Sequence, residues 1–294
     1  MKKLHGSITA LITPFKNGAL DEKALRKLIR RQIKAGTDGL VPCGSTGEAA
    51  TLSPEEYRRV VEITVQEAKG KIPVIPGTGT NSTAKTVAQI KEVSHWGVDA
   101  LLVLVPYYNK PTQEGIFLHF QAAARATKLP IVVYNIPGRT GINLAPATLA
   151  RLAKACPNIR HTKEAAGSLD QVSEIISLCG PDFTVLSGDD SLTLPMMAVG
   201  AKGGISVLSN ILPAQNAKMC AAANRGDFKT ARKIHQALFP VAKSLFIESN
   251  PIPVKAAAEM LGLCSGAPRL PLTPITPPSR AHLRKTLQKA EILK

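Results

Sequence analysis

Eight times along this chain a short apolar run of strand-like character gives way to a stretch with helical spacing, and the interval stays near 30 residues throughout. The runs fall at 7–13, 39–43, 72–75, 100–105, 130–135, 159–163, 183–187 and 203–207. The helical stretches between them carry their own punctuation. Asp21 is placed to cap the first, whose Leu25, Leu28, Ile29 and Ile33 form an apolar stripe ended by Gly36. Ser53-Pro54-Glu55-Glu56 is a capping box with proline at the first helical position. Further caps are expected near Asn81, Thr112, Asn143, Ser168 and Asp190. Eight uninterrupted units predict an α/β protein built as a (β/α)8 TIM barrel, since a doubly wound sheet rarely needs so many. After Arg225-Gly226 the pattern changes to helical stretches at 227–244, 253–261 and 279–293, separated by Asn250-Pro251-Ile252-Pro253 and a proline-rich 270–278. The expected division is a catalytic barrel over 1–226 and a small C-terminal α-helical domain over 227–294.

Composition narrows the partners. A net charge of +16 invites a nucleic-acid reading, but the cations are spread along helices, as in Arg26-Lys27, Arg30-Arg31 and Arg232-Lys233. Only 4% of residues are aromatic, too few for a base-stacking platform. The expectation is no nucleic-acid partner and a basic, solvated surface that attracts small anionic substrates. No apolar run reaches the roughly 18 residues of a membrane span. Met1-Lys2-Lys3 leads into Leu4-His5-Gly6-Ser7 rather than a signal-peptide core, so a cytoplasmic chain with no membrane partner is expected. The five cysteines are scattered and never form a Cys-x-x-Cys pair, which suits reduced thiols and offers no zinc site.

The chemistry gathers at the strand ends, and foremost at Lys163. Ile159, His161 and Lys163 alternate with Arg160 and Thr162, and the run breaks at Ala165-Ala166-Gly167. Lys163 therefore closes a strand just before its βα turn, on the face where parallel barrels hold their active sites. An amine held there among apolar walls loses hydration, its pKa falls, and the neutral form can attack a ketone to give a Schiff base. The plain alternative is a lysine whose stem lies along apolar surface with its head in water. Gly44-Ser45-Thr46-Gly47-Glu48 supplies two hydroxyls and a glycine turn whose N–H groups suit a carboxylate, or is an ordinary βα turn. Pro106-Tyr107-Tyr108-Asn109 puts two of the four tyrosines in one loop, and Tyr134-Asn135-Ile136-Pro137-Gly138-Arg139 joins a phenol to a guanidinium. In Ser187-Gly188-Asp189-Asp190 the acids are expected to cap a helix, and Gly203-Gly204 to let backbone approach a ligand. With no metal-ligand spacing and no Gly-x-Gly-x-x-Gly, imine chemistry without metal or cofactor on an acidic carbonyl compound fits best.

With these motifs in hand, the chain resembles the dihydrodipicolinate synthase / N-acetylneuraminate lyase family of class I, pyruvate-dependent aldolases. The likeness runs from Ser7-Ile-Thr-Ala-Leu-Ile-Thr-Pro14 to Asn250-Pro-Ile-Pro-Val-Lys255 and Leu270-Pro-Leu-Thr-Pro274. It implies a Schiff base between Lys163 and pyruvate, loss of a methyl proton to give an enamine, and addition to L-aspartate-4-semialdehyde followed by cyclisation, in lysine biosynthesis. It implies Tyr134 as proton relay, Ser45 as the hydroxyl linking it to Tyr108, and Tyr108 reaching in from a neighbouring subunit. It further implies Thr46 at the pyruvate carboxylate, Arg139 at the semialdehyde carboxylate, and Gly188 and the Ile205 backbone beside the substrate, with a homotetramer as the usual assembly. Arg139 favours the synthase branch, because a guanidinium fork suits a short acid better than a polyhydroxylated chain. Two other readings stay open: a pyruvate aldolase or keto-acid dehydratase with a different partner, and a non-catalytic basic binding protein on the same barrel.

Three departures from the family pattern carry expectations. Ser45 replaces the usual threonine, keeping the hydroxyl and losing its methyl group. His161 shares the face of Lys163, so a protonated imidazole beneath the amine would depress its pKa further; a hydrogen-bonded filler of the interior is the alternative. The positions matching the lysine effector site of feedback-sensitive synthases are Ala49, Pro54, Tyr57, Asn81, Lys85 and Tyr107, where Lys85 replaces an acid and Pro54 and Tyr57 replace imidazoles. A cation facing a cationic effector is repulsive. Inhibition by L-lysine is therefore expected to be weak or absent in a steady-state assay, and strong inhibition at sub-millimolar lysine would contradict this.

Overall fold

In the computed structural model, which describes residues 4–293, the eight expected runs become eight parallel strands around one axis. The basic start Met1-Lys2-Lys3 and Lys294 lie outside the described residues. The strands are β1 Gly6–Ala10, β2 Gly39–Val41, β3 Gly77–Thr78, β4 Leu101–Leu104, β5 Ile131–Asn135, β6 Ile159–Glu164, β7 Thr184–Ser187 and β8 Gly203–Ser206. From β3 round to β8 each strand hydrogen-bonds its sequence neighbour, β8 pairs back with β1 and β1 with β2, and an isolated bridge between Leu40 and Val74 completes the ring. The architecture is a TIM barrel followed by C-terminal helices.

The third strand departs most from expectation. Regular pairing covers only Gly77–Thr78, beyond the predicted 72–75. Pro73 and Pro76 have no N–H, so only the residues between and after them can donate to β2: Ile75 to the Leu40 carbonyl at 2.8 Å and Gly77 to that of Pro42 at 2.9 Å. Of the helix starts, Asp21, Ser53, Thr112 and Ser168 cap as expected. Elsewhere the neighbours take over: Ser82 caps in place of Asn81, and Ala145 and Leu192 stand at the N-cap where Asn143 and Asp190 were expected, without a side-chain bond.

Alternation along the strands divides the core. Ile8, Leu102, Val132, Leu186 and Ile205 fill the barrel interior, while Leu40, Val103, Val133, Ile159 and Val185 pack outward against helix faces. The glycines of β8 serve this closure rather than a ligand. A Cβ on Gly203 would fall 2.0 Å from the Gly6 carbonyl oxygen, and one on Gly204 would meet Thr193 at 2.9 Å. They are small because strand and helix lie against them.

The last barrel helix ends at Asn224, and helices Phe228–Ser244, Ile252–Met260 and Pro277–Lys289 follow. Leu238, Val254, Leu283 and Leu287 of this C-terminal part pack with Ile12 and Leu28 of the barrel. Across the same junction Lys255, fully buried, pairs with the buried carboxylate of Glu48 and donates to the Thr13 carbonyl at 3.1 Å. The Arg269 N–H adds a bond to the other Glu48 oxygen at 2.8 Å. Removing one member of such a pair strands its partner's charge in a low-dielectric interior. Lys255→Met is expected to lower the unfolding free energy by about 3–5 kcal/mol in denaturant titration, and adding Glu48→Gln to recover most of it.

Candidate active site

Lys163 lies next to last in β6, in register with Tyr134 of β5 on one side and Leu186 of β7 on the other. It is 6% exposed, and its Nζ sits 4.2 Å from the centroid of the Tyr134 ring. Burial strips the ammonium of water and pulls its pKa down to about 7; Asp190 opposes this and Arg139 reinforces it. Gly188 is required for the lysine to lie as it does, because a Cβ there would come within 3.1 Å of Lys163 Cε and 2.7 Å of the Ala165 methyl. Burial likewise holds the Tyr134 phenol above its usual pKa range, with the nearby Arg139 charge countering part of the rise.

The loop after β2 supplies the opposite wall. Cys43 and Glu48 adopt left-handed backbone with φ of 54°, and Gly47 fits where a Cβ would press on Cys43 N and Leu11 O at 3.1 Å. The Gly47 and Glu48 amides turn back onto the carbonyls of Gly44 and Ser45. Those of Ser45 and Thr46 make no such bond among the described residues, which leaves donors for an anion. Thr46 is buried and Ser45 exposed. Thr13 Oγ1 donates to the Gly47 carbonyl at 2.7 Å and fixes the loop from below.

Arg139 follows β5 on a one-turn helix, Pro137–Thr140, and donates through Nη2 to the Asn250 carbonyl at 2.9 Å. Together Ser45, Thr46, Tyr134, Arg139, Lys163 and Gly188 line one cavity of about 540 Å³. Ile205 does not line it: its side chain is interior core, 1% exposed, in register with Ile8. Tyr108 stands outside with φ of 72° and 86% of its surface exposed, whereas its neighbour Tyr107 reaches the cavity rim.

Two expectations are corrected here. Burial pushes the His161 imidazole down to about 4, so it is neutral near pH 7 and supplies no charge beneath Lys163; loss of hydration does that work. Asp190 does not cap the helix that follows it. Its Oδ2 instead accepts the N–H groups of Val207 at 2.9 Å and Leu208 at 2.8 Å, joining the ends of β7 and β8. Residues the sequence left unmarked include Asn250, whose side chain and carbonyl touch Thr46 and Arg139. The asparagine-before-proline in Asn250-Pro251 signals a turn, and that signal hid its place in the cavity wall.

Comparison with known proteins bears on this geometry. The model of the dihydrodipicolinate synthetase family matches residues 3–290. The 4-hydroxy-tetrahydrodipicolinate synthase of Geotalea uraniireducens is 52% identical over 278 residues, covering 95% of this chain and 96% of that one. The crystal structure of dihydrodipicolinate synthase from Aquifex aeolicus superposes with a TM-score of 0.96 at 48% identity, covering 98% of this chain and 99% of the other. The chloride-inhibited dihydrodipicolinate synthase from Acinetobacter baumannii, solved as a pyruvate complex, gives a TM-score of 0.96 at 42% identity over 99% and 100% of the two chains.

The depressed Lys163 pKa sets a pH dependence. Only the neutral amine attacks a carbonyl, so the initial rate of imine formation is expected to rise with pH to about 7 and then level off. A lysine at its ordinary pKa would still be gaining rate at about pH 9. Reductive trapping with a small α-keto acid, followed against pH, separates the two profiles.

Proposed function

This chain belongs to the dihydrodipicolinate synthetase family, and on that premise we propose how its residues carry the family reaction, 4-hydroxy-tetrahydrodipicolinate synthesis, a lyase-class aldol condensation. Pyruvate enters the cavity with its carboxylate toward Thr46 and the free amides of Ser45 and Thr46. The neutral Lys163 amine adds to the ketone carbon and water leaves, forming an imine. Withdrawal of a methyl proton gives the enamine, whose carbon attacks the aldehyde of L-aspartate-4-semialdehyde while Arg139 holds that substrate's carboxylate. The semialdehyde's amino group then closes the ring on the imine carbon and displaces Lys163. Carbon–carbon and carbon–nitrogen bonds form with loss of water and no net transfer of electrons, so the balance calls for no redox carrier, and the imine takes up the electron pair left by the methyl proton.

The observation that carries this reading is a buried amine, with no carboxylate among the described residues bonded to it, in one cavity with a hydroxyl-and-amide nest and a guanidinium. Tyr134 is the proton relay on this reading, since its ring lies against the lysine. Ser45 passes the proton on to a Tyr108 contributed by a neighbouring subunit of a homotetramer. The outward Tyr108 side chain supports that assembly. No helix among the described residues is long and apolar enough to cross a membrane, and we place the enzyme in the cytoplasm.

Borohydride reduction in the presence of pyruvate is expected to fix a stable adduct on Lys163, located by peptide mass mapping, and a coupled assay to report semialdehyde consumption. Lys163→Met is expected to abolish both signals. Undiminished turnover in that variant would overturn the assignment, and an adduct without semialdehyde consumption would point to a different aldehyde partner.

A further inference from the structure

Asn250 is 6% exposed and lines the cavity, yet its side chain is only half satisfied. Nδ2 donates to Thr46 Oγ1 at 2.9 Å, while Oδ1 is buried without a partner among the described residues. An asparagine kept only to fill space would pair both ends or give way to an apolar residue. What this one does is direct a donor at a particular hydroxyl. A threonine hydroxyl has one proton and two lone pairs. Once a lone pair is occupied by the Asn250 amide, the Thr46 proton is free to point elsewhere, and the carboxylate nest lies beside it.

Building on the proposed placement of the pyruvate carboxylate at Thr46, we infer that Asn250 is a positioning residue that sets the polarity of the Thr46 hydroxyl, holding it as a donor toward that carboxylate. Its backbone carbonyl separately holds Arg139, and side-chain replacement leaves that group in place. The two carboxylate binders are therefore anchored by different atoms of one residue. Asn250 itself is held by its neighbourhood: Lys255, five residues on, is locked to Glu48 at the far end of the Thr46 loop.

Asn250→Asp is nearly isosteric but turns the donor into an acceptor, drawing the Thr46 proton away from the ligand and adding negative charge beside an anion site. Pyruvate KM, and the pyruvate concentration giving half-maximal borohydride trapping, are expected to rise about tenfold or more. kcat and the semialdehyde KM are expected to change less than about threefold. Asn250→Ala, which only deletes the donor, is expected to raise pyruvate KM less than Asn250→Asp does. Acidification is expected to bring the aspartate variant back toward wild type, because a protonated carboxyl regains a donor. A residue that merely fills space gives the reverse order, with alanine the worse, and that order overturns the inference, as does an unchanged pyruvate KM in Asn250→Asp. Should Asn250→Asp not fold, Asn250→Ala in a Thr46→Val background decides. No further rise in pyruvate KM there supports action through the hydroxyl, and a rise as large as that in the Thr46 enzyme overturns it. If the wild type forms no pyruvate adduct, the Lys163 reading falls and takes this inference with it. If it does and Asn250→Asp titrates like wild type, only the role of Asn250 falls.

Discussion

The site depends on keeping water from a single ammonium group. Lys163 sits at the top of an interior already filled by Ile8, Leu102, Val132 and Leu186, with an aromatic face 4.2 Å from its nitrogen. Desolvation disfavours the charged form, and the nearby Asp190 is bonded to two backbone amides instead of to the lysine. The carboxylate thus moderates the shift without becoming an ion-pair partner. Had it closed on the amine, the proton would be held.

A second buried lysine provides the contrast. Lys255 is as deeply enclosed, but it contacts Glu48 and the Thr13 carbonyl. Burial lowers its pKa and the Glu48 charge works against that fall. The same side chain gives up its proton near neutrality where no counterion among the described residues bonds to it, and acts as a structural clasp where one does. This clasp fastens the C-terminal helices to the loop that bears Ser45 and Thr46. The C-terminal segment is thereby part of the active-site wall, and Asn250 reaches both Thr46 and Arg139 from it.

Glycine usage divides along similar lines. Gly188 makes room for the lysine stem, and Gly47 lets the β2 loop fold against Leu11 and Cys43. Gly203 and Gly204 do something unrelated to ligand, allowing β8 to close on β1 and the helix before it, which begins at Thr193, to pack tightly. Residue type announces that something approaches closely, and only position says what.

The sequence by itself determined the repeat of strand and helix and the strand-end place of Lys163. These follow from period and turn chemistry, which act over a few residues and can be read locally. Thr46, Tyr134, Arg139 and Gly188, which join the lysine in one cavity, were legible through the likeness of their motifs to a family. Only the tertiary structure decided that His161 stays neutral, that Asp190 bonds to the backbone beyond β8 instead of capping the helix that follows it, and that Asn250 touches a threonine 204 positions away. Each of these rests on burial or on a partner distant in the chain. Neither is encoded in local spacing, because desolvation and long-range hydrogen bonds exist only once the barrel has closed.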